Sequence, residues 1–337
     1  MRDARSPASR LARSEVAGGG PPPDSTRVRG SRCRRRAGRR RPCVEDTPNV
    51  RGRIRAMVRL WAVLAASIVL AGCATGRVSF DNVTPAAPVR VQAEEFRPQG
   101  PGAFPAVVLM HGCHGVSPAV RGWGRWLRAR GYVALVVDSW ASRGLGEQCT
   151  PGEDLPNTAR FDDAVGALRW LQSRPYVDRE RVGIIGWSNG GAFSMAAVNG
   201  PTAERAKRRG VEIPPPGYQA AVAVYPGACA SLINELSVKP LLILIGADDD
   251  WTNPAECEEL TLKQRAKGAD VTLVVYPGAV HYFDVEGQPR VFLSEVENRN
   301  AKTGRCCGAT VGFDAAANAD AHRRVGEFLA RHLGGRA

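Results

Sequence analysis

The alternation of apolar runs with amphipathic stretches constrains this chain more than any other feature. Seven runs read as strands, at residues 89–96, 105–110, 132–137, 181–187, 220–225, 241–245 and 271–276. Several are continuous in Val, Ile and Leu, the pattern of strands covered on both faces. Between them, 157–173 puts Phe161, Val165, Leu168 and Leu171 on one helical face. Residues 254–267 and 315–333 behave similarly, the last with Val325, Phe328, Leu329 and Leu333. Strands alternating with helices mean an α/β fold with a mostly parallel central sheet flanked by helices. No repeat or linker interrupts the pattern after residue 86, so 88–337 reads as one domain.

The stretch before that domain differs in kind. Residues 1–56 hold 16 Arg, no Lys and 5 acids, and so supply +11 of the net charge of +13. Rich in Arg, Gly, Pro and Ser, they lack the periodicity to bury a core. A disordered basic arm suits nucleic acid, but the sequence from Met57 argues otherwise: MVRLWAVLAASIVLAGCATG. Arg59 precedes an apolar run at 60–70, too short to span a bilayer and the right length for the core of a signal peptide. A buried core helix is the weaker reading, given its flanks. Leu70-Ala71-Gly72-Cys73 resembles a bacterial lipobox, which implies that Cys73 is acylated and becomes the first mature residue. We therefore expect 1–56 to be an untranslated or disordered leader, 57–72 a lipoprotein-type signal peptide, and 73–87 a polar tether. The chain would be lipid-anchored in a bacterial cell envelope, facing the periplasm (on the outer membrane), or exported. The other 281 residues carry only +2, so nucleic acid is not expected as a partner.

Residues 182–195 read VGIIGWSNGGAFSM. Ser188 follows a strand-like run and precedes a small-residue stretch able to start a helix, the strand–turn–helix setting of a nucleophile elbow. Gly186, Gly190 and Gly191 stand where side chains would collide in so tight a turn. A serine nucleophile needs a base and the base an orienting acid, in this fold class in the order Ser, Asp, His. Downstream, His322 and His332 fall in the terminal helix and read as solvated, whereas His281 lies on the loop after the run 271–276 and is the expected base. The acid belongs after 241–245, where Asp248, Asp249 and Asp250 stand together; spacing alone does not choose among them. Oxyanion donors are expected from the backbone N–H of Asn189 and that of Cys113, in the loop His111-Gly112-Cys113-His114-Gly115. Two histidines without acidic neighbours are weak grounds for a metal site. Cys113 is a poor rival nucleophile because no elbow surrounds it. Neither metal nor cofactor is expected.

Taken together, MHGCHG (110–115), VDSWASRG (137–144), RPYVDRERVGIIGWSNGG (174–191), YPGAC (225–229), PLLILIGADDDWTNPAEC (240–257), YPGAVHYFD (276–284) and GFDAAANADAHRRVGEFL (312–329) resemble the dienelactone hydrolase family of the α/β-hydrolase superfamily. The resemblance covers about 88–333 and implies the α/β-hydrolase fold. Founding members use cysteine where Ser188 stands, and a glutamate where Gly112 stands. Asn253 is an extra residue before Pro254: matching forward from Gly246 selects Asp249 as the acid, and counting back from Pro254 selects Asp250 as the alternate. Arg143 lies near where the family places an arginine that meets a substrate carboxylate, although a surface arginine would look the same. Trp187, beside the nucleophile, is a candidate substrate contact. Cys113 and Cys149, and Cys229 and Cys257, match to loops at the same strand ends, which favours disulfides between them. A Cys306–Cys307 bridge is not assumed.

The expected function is hydrolysis of a small-molecule carboxylic ester or lactone through a Ser188 acyl-enzyme. A peptidase or acyltransferase would use the same triad. A non-catalytic envelope binding protein on the same fold is the reading from a different class.

Overall fold

The seven runs and one further strand, β1, form one eight-stranded sheet in the order β1-β2-β4-β3-β5-β6-β7-β8. The protein is seen in a computed structural model that describes residues 75–149, 155 and 157–335. The expected leader, signal peptide and acylated Cys73 lie outside the described residues. The strands are β1 (Thr75–Asp81), β2 (Arg90–Phe96), β3 (Phe104–Met110), β4 (Val133–Asp138), β5 (Val177–Trp187), β6 (Ala220–Val224), β7 (Leu241–Gly246) and β8 (Val271–Tyr276). β9 (Val291–Leu293) and β10 (Ala309–Val311) form a separate pair. The helices are α1 (Pro118–Ala129), α2 (Asn157–Gln172), α3 (Asn189–Ala197), α4 (Gly200–Arg208), α5 (Cys229–Leu232), α6 (Pro254–Ala266) and α7 (Ala315–Leu333).

Strands β3 to β8 are parallel, while β1 and β2 join the β4 edge antiparallel. Every residue of β6 and β7 is buried, as expected where helices cover both faces. This is the mostly parallel α/β sheet that the sequence pattern implies.

Register is what makes a site. Met110 pairs with Gly186, Trp187 with Val224, and Gly246 with Tyr276. The loops that begin at His111, Ser188, Tyr225, Ala247 and Pro277 therefore leave the sheet along one edge, the carboxyl ends of the strands, where open α/β sheets hold their ligands.

Local chemistry sets the helix starts. Ser117 accepts from the Val120 N–H and Pro118 opens α1. Asp314 caps α7 by accepting from the Ala317 N–H at 2.9 Å. The extra Asn253 has the same job, accepting from the Ala255 N–H at 3.0 Å ahead of Pro254.

Two expectations need correction. The expected tether is not free of the fold, because it holds strand β1: β1 pairs along its whole length with β2, Phe80 is buried, and buried Asn82 donates to Asp163 at 2.9 Å. A lone run with a single buried aromatic has little periodicity to read, and the edge of β2 supplies the partner. His322 is not a solvated helix residue either: its ring stacks on Trp123 with centroids 3.8 Å apart.

Candidate active site

Ser188 sits between β5 and α3 at φ 51° and ψ −117°, a conformation disfavoured for any residue with a Cβ. Such a residue costs of order 1–3 kcal/mol and persists only where its surroundings over-determine it. Here they do. The Ser188 N–H donates to the Val224 carbonyl at 2.9 Å, and its carbonyl accepts from the Gly191 and Gly227 N–H groups at 2.9 and 3.1 Å. A Cβ on Gly186 would fall on the Gly190 carbonyl, and one on Gly190 on the carbonyls of Met110 and His111.

The Ser188 hydroxyl lies 3.1 Å from His281 Nε2, and His281 Nδ1 lies 2.8 Å from Asp249 Oδ2. Both partners in the second of these hydrogen bonds are fully buried. Asp249 also accepts from the Trp251 N–H at 2.9 Å, the Thr252 N–H at 2.8 Å and the Thr252 hydroxyl at 2.9 Å. Those donors fix the carboxylate's orientation toward the ring. The neighbouring aspartates turn elsewhere. Asp250 accepts from the Thr310 N–H and hydroxyl and from Asn300 Nδ2, tying β10 to the β7 loop. Asp248 is half-exposed and pairs with Lys302 at 2.7 Å, which holds its carboxyl below the usual range.

The loop after β3 lies beside the nucleophile: a Cβ on Gly112 would meet Ser188 Cβ at 3.5 Å. His111 is fully buried, and burial followed by the nearby Arg160 charge pushes its pKa well below the ordinary value. The neutral ring accepts from the Ser139 N–H on Nε2 at 3.2 Å and donates from Nδ1 to the Gly112 carbonyl at 2.6 Å. Because C=O and N–H point opposite ways across a trans peptide, that hydrogen bond also fixes the direction of the Cys113 N–H. The Cys113 carbonyl accepts from the Gln148 N–H at 2.8 Å and Trp140 Nε1 at 2.9 Å. Arg160, buried among Trp140 and Phe193, donates to the His111 carbonyl at 2.7 Å and to Asn189 Oδ1, so one cation grips both the β3 loop and the elbow. Burial lowers its pKa to about 9, which still leaves it charged at neutrality.

Disulfides join Cys113 to Cys149 and Cys229 to Cys257, the pairings that the family resemblance favours. Cys306 is paired with Cys307, a bridge that the sequence reading does not assume. Cys113, His114 and Cys149 approach closely enough to hold a metal ion, but the two sulfurs are bonded to each other and offer no thiolate.

Arg143 is taken up by groups of the protein itself. Its guanidinium makes a two-pronged pair with buried Asp163, both hydrogen bonds 2.9 Å, and donates to the Ser139 carbonyl at 2.8 Å. Its partner, 20 residues on and in α2, carries no signal in the sequence. Arg143→Gln should therefore cost about 3 kcal/mol of stability by leaving a buried carboxylate unpaired. Urea unfolding reads that loss, and the KM for an ester should scarcely move. Trp187 lines a cavity of about 380 Å³ with Gly112, Tyr225, Tyr282 and Asp284. A second cavity of about 660 Å³ runs from Asn189 and Ala228 toward α4.

Sequence reasoning misses Thr252, which braces Asp249, and misses Arg160 and Asp284 altogether. Asp284 closes the run YPGAVHYFD, so a signal is present, but nothing local says what it touches.

Residues 91–333 match the dienelactone hydrolase family. The chain is 28% identical over 214 residues to dipeptidyl aminopeptidase BIII of Pseudoxanthomonas mexicana, covering 53% of this chain and only 30% of that protein. It is 24% identical over 196 residues to the Bradyrhizobium sp protein named "probable 2-oxo-3-(5-oxofuran-2-ylidene)propanoate lactonase", covering 56% of this chain and 76% of that one. Its fold is shared with Thermogutta terrifontis esterase 2 phosphorylated by paraoxon, at a TM-score of 0.56 and 18% identity, over 78% of this chain and 96% of that one. The chain belongs to the dienelactone hydrolase family.

Proposed function

We propose that this family member cleaves its ester or lactone by nucleophilic catalysis at Ser188. The observation that carries the reading is the unbroken chain from Ser188 Oγ through the His281 ring to Asp249, at 3.1 and 2.8 Å. His281 takes the hydroxyl proton as Oγ attacks the carbonyl carbon. The Asn189 and Cys113 N–H groups receive the oxyanion, each such donor being worth about 3 kcal/mol in the transition state. The C–O bond then breaks, the alkoxide takes the proton from His281, and an acyl-enzyme remains. Water, deprotonated by the same imidazole, releases the acid. Asp249 keeps the Nδ1 proton in place and stabilises the imidazolium.

Comparison of two conservative variants tests the assignment. Asp249→Asn should lower kcat for p-nitrophenyl acetate about 10³–10⁴-fold with the fold intact, by favouring the wrong tautomer. Asp250→Asn should act mainly on stability, through Thr310 and Asn300. The reverse ranking would transfer the triad acid to Asp250.

We also propose that Cys73 is acylated and anchors the protein to a bacterial envelope membrane. The support is the Leu70-Ala71-Gly72-Cys73 motif behind an apolar run. Cys73→Ser should move the protein from the membrane to the soluble fraction; unchanged fractionation would contradict the anchor.

A further inference from the structure

The cavity beside Trp187 carries charge of one sign. Asp284 and Glu295 line it, with no lysine or arginine among the lining residues. His114, which also lines it, has its pKa lowered, chiefly by burial, and adds no cation at neutral pH. The cavity adjoins the reacting atoms. Gly112 lies against Ser188, Trp187 precedes it, and the Tyr225 ring sits 4.4 Å from that of His281.

Asp284 is 4% exposed, yet has no cationic partner among the described residues. It is held by neutral donors only: Trp123 Nε1 at 2.9 Å and Trp187 Nε1 at 2.7 Å on Oδ2, and the Tyr225 hydroxyl at 2.6 Å on Oδ1. Burial first, then the Asp284 charge, push the Tyr225 phenol well above its ordinary range, so it remains a donor. A carboxylate has about four acceptor positions. Three are filled here, and the fourth is on Oδ1 of a residue that lines the cavity. Three neutral hydrogen bonds hold the charge without cancelling it, so a cation entering the cavity gains a strong, weakly screened attraction and an anion meets the opposite. Arg143, the family's carboxylate-binding candidate, is meanwhile committed to Asp163.

We propose that this cavity takes the substrate portion bearing an ammonium group, that Asp284 is the residue that recognises it, and that carboxylate-bearing esters and lactones are discriminated against. The inference rests on the Ser188 reading above, but can fail without it. The larger cavity toward α4 is the rival: Arg205, Arg208 and Arg209 line it, although Arg205 pairs with Glu235 and Arg209 with Asp162.

The test uses p-nitrophenyl hexanoate, the p-nitrophenyl monoester of adipate and p-nitrophenyl 6-aminohexanoate, at pH 7 and low salt. The kcat/KM for the ammonium ester should exceed that for the carboxylate ester about tenfold or more. Asp284→Asn should collapse this ratio toward one. Tyr225→Phe, which frees an acceptor position but keeps the charge, should widen it. Opposite movements in two variants are not what a structural role gives, and the second decides the matter if the first fails to fold. A wild-type ratio below one would assign recognition to the arginines near α4 and overturn the proposal, as would a Tyr225→Phe ratio that stays flat or falls. Hexanoate turnover with no preference for charge would sink this inference alone. No Ser188-dependent turnover of hexanoate would sink the reading beneath it.

Discussion

Ser188→Ala is expected to lower kcat for p-nitrophenyl esters about 10⁴-fold or more while leaving the thermal unfolding midpoint near that of the parent protein. The magnitude follows from removing the one atom that forms the acyl bond, a loss as large as deleting a whole triad in enzymes of this chemistry. Stability should not suffer, because the elbow is held by backbone hydrogen bonds to Val224, Gly191 and Gly227, which alanine keeps. What alanine removes is the Oγ hydrogen bond to His281. Residual turnover near parental levels would move the nucleophile elsewhere. Cys113 is not the substitute, since its sulfur is committed to Cys149.

Gly190→Ala is expected to do the opposite, unfolding the site rather than silencing it. A Cβ there meets the backbone carbonyls of Met110 and His111, neither of which can swing aside as a side-chain tip would. The whole β3 loop would have to shift, taking with it the His111–Gly112 hydrogen bond and the grip of Arg160. A cost above about 4 kcal/mol is expected, in the range reserved for overpacking and backbone strain. Gly131→Ala is the control. It sits at positive φ, but nothing lies within 4 Å of the added atom, so strain of about 1–2 kcal/mol is all that applies. Urea unfolding of the two variants separates collision from conformation; equal losses would mean that the elbow is less crowded than described.

Much of this is legible in the sequence. The runs mark seven of the eight sheet strands within a few residues, six of them because buried parallel strands need continuous apolarity. Ser188, His281 and the aspartate cluster can be assigned to strand ends because the fold class orders them. The choice among three adjacent aspartates cannot be made that way. It is made by what each meets: Thr252 and His281 for Asp249, Thr310 and Asn300 for Asp250, and Lys302 for Asp248. Arg143 goes astray for the same reason, its partner Asp163 being visible only once α2 packs beside the β4 loop. Edge strand β1 escapes because its pairing partner, rather than its own pattern, makes it a strand. Cavity walls drawn from the loops after β3, β5, β6 and β8 leave no local motif, and so Asp284 can stand inside a family motif without its role being readable.

Active-site labelling tests the central claim most directly. The purified protein would be treated with a fluorophosphonate, followed by intact mass and peptide mapping, with ester turnover measured on the same samples. One adduct per chain, on Ser188, with turnover falling in proportion to labelling, is the predicted result. An adduct on another residue, or full turnover in fully labelled protein, would contradict it.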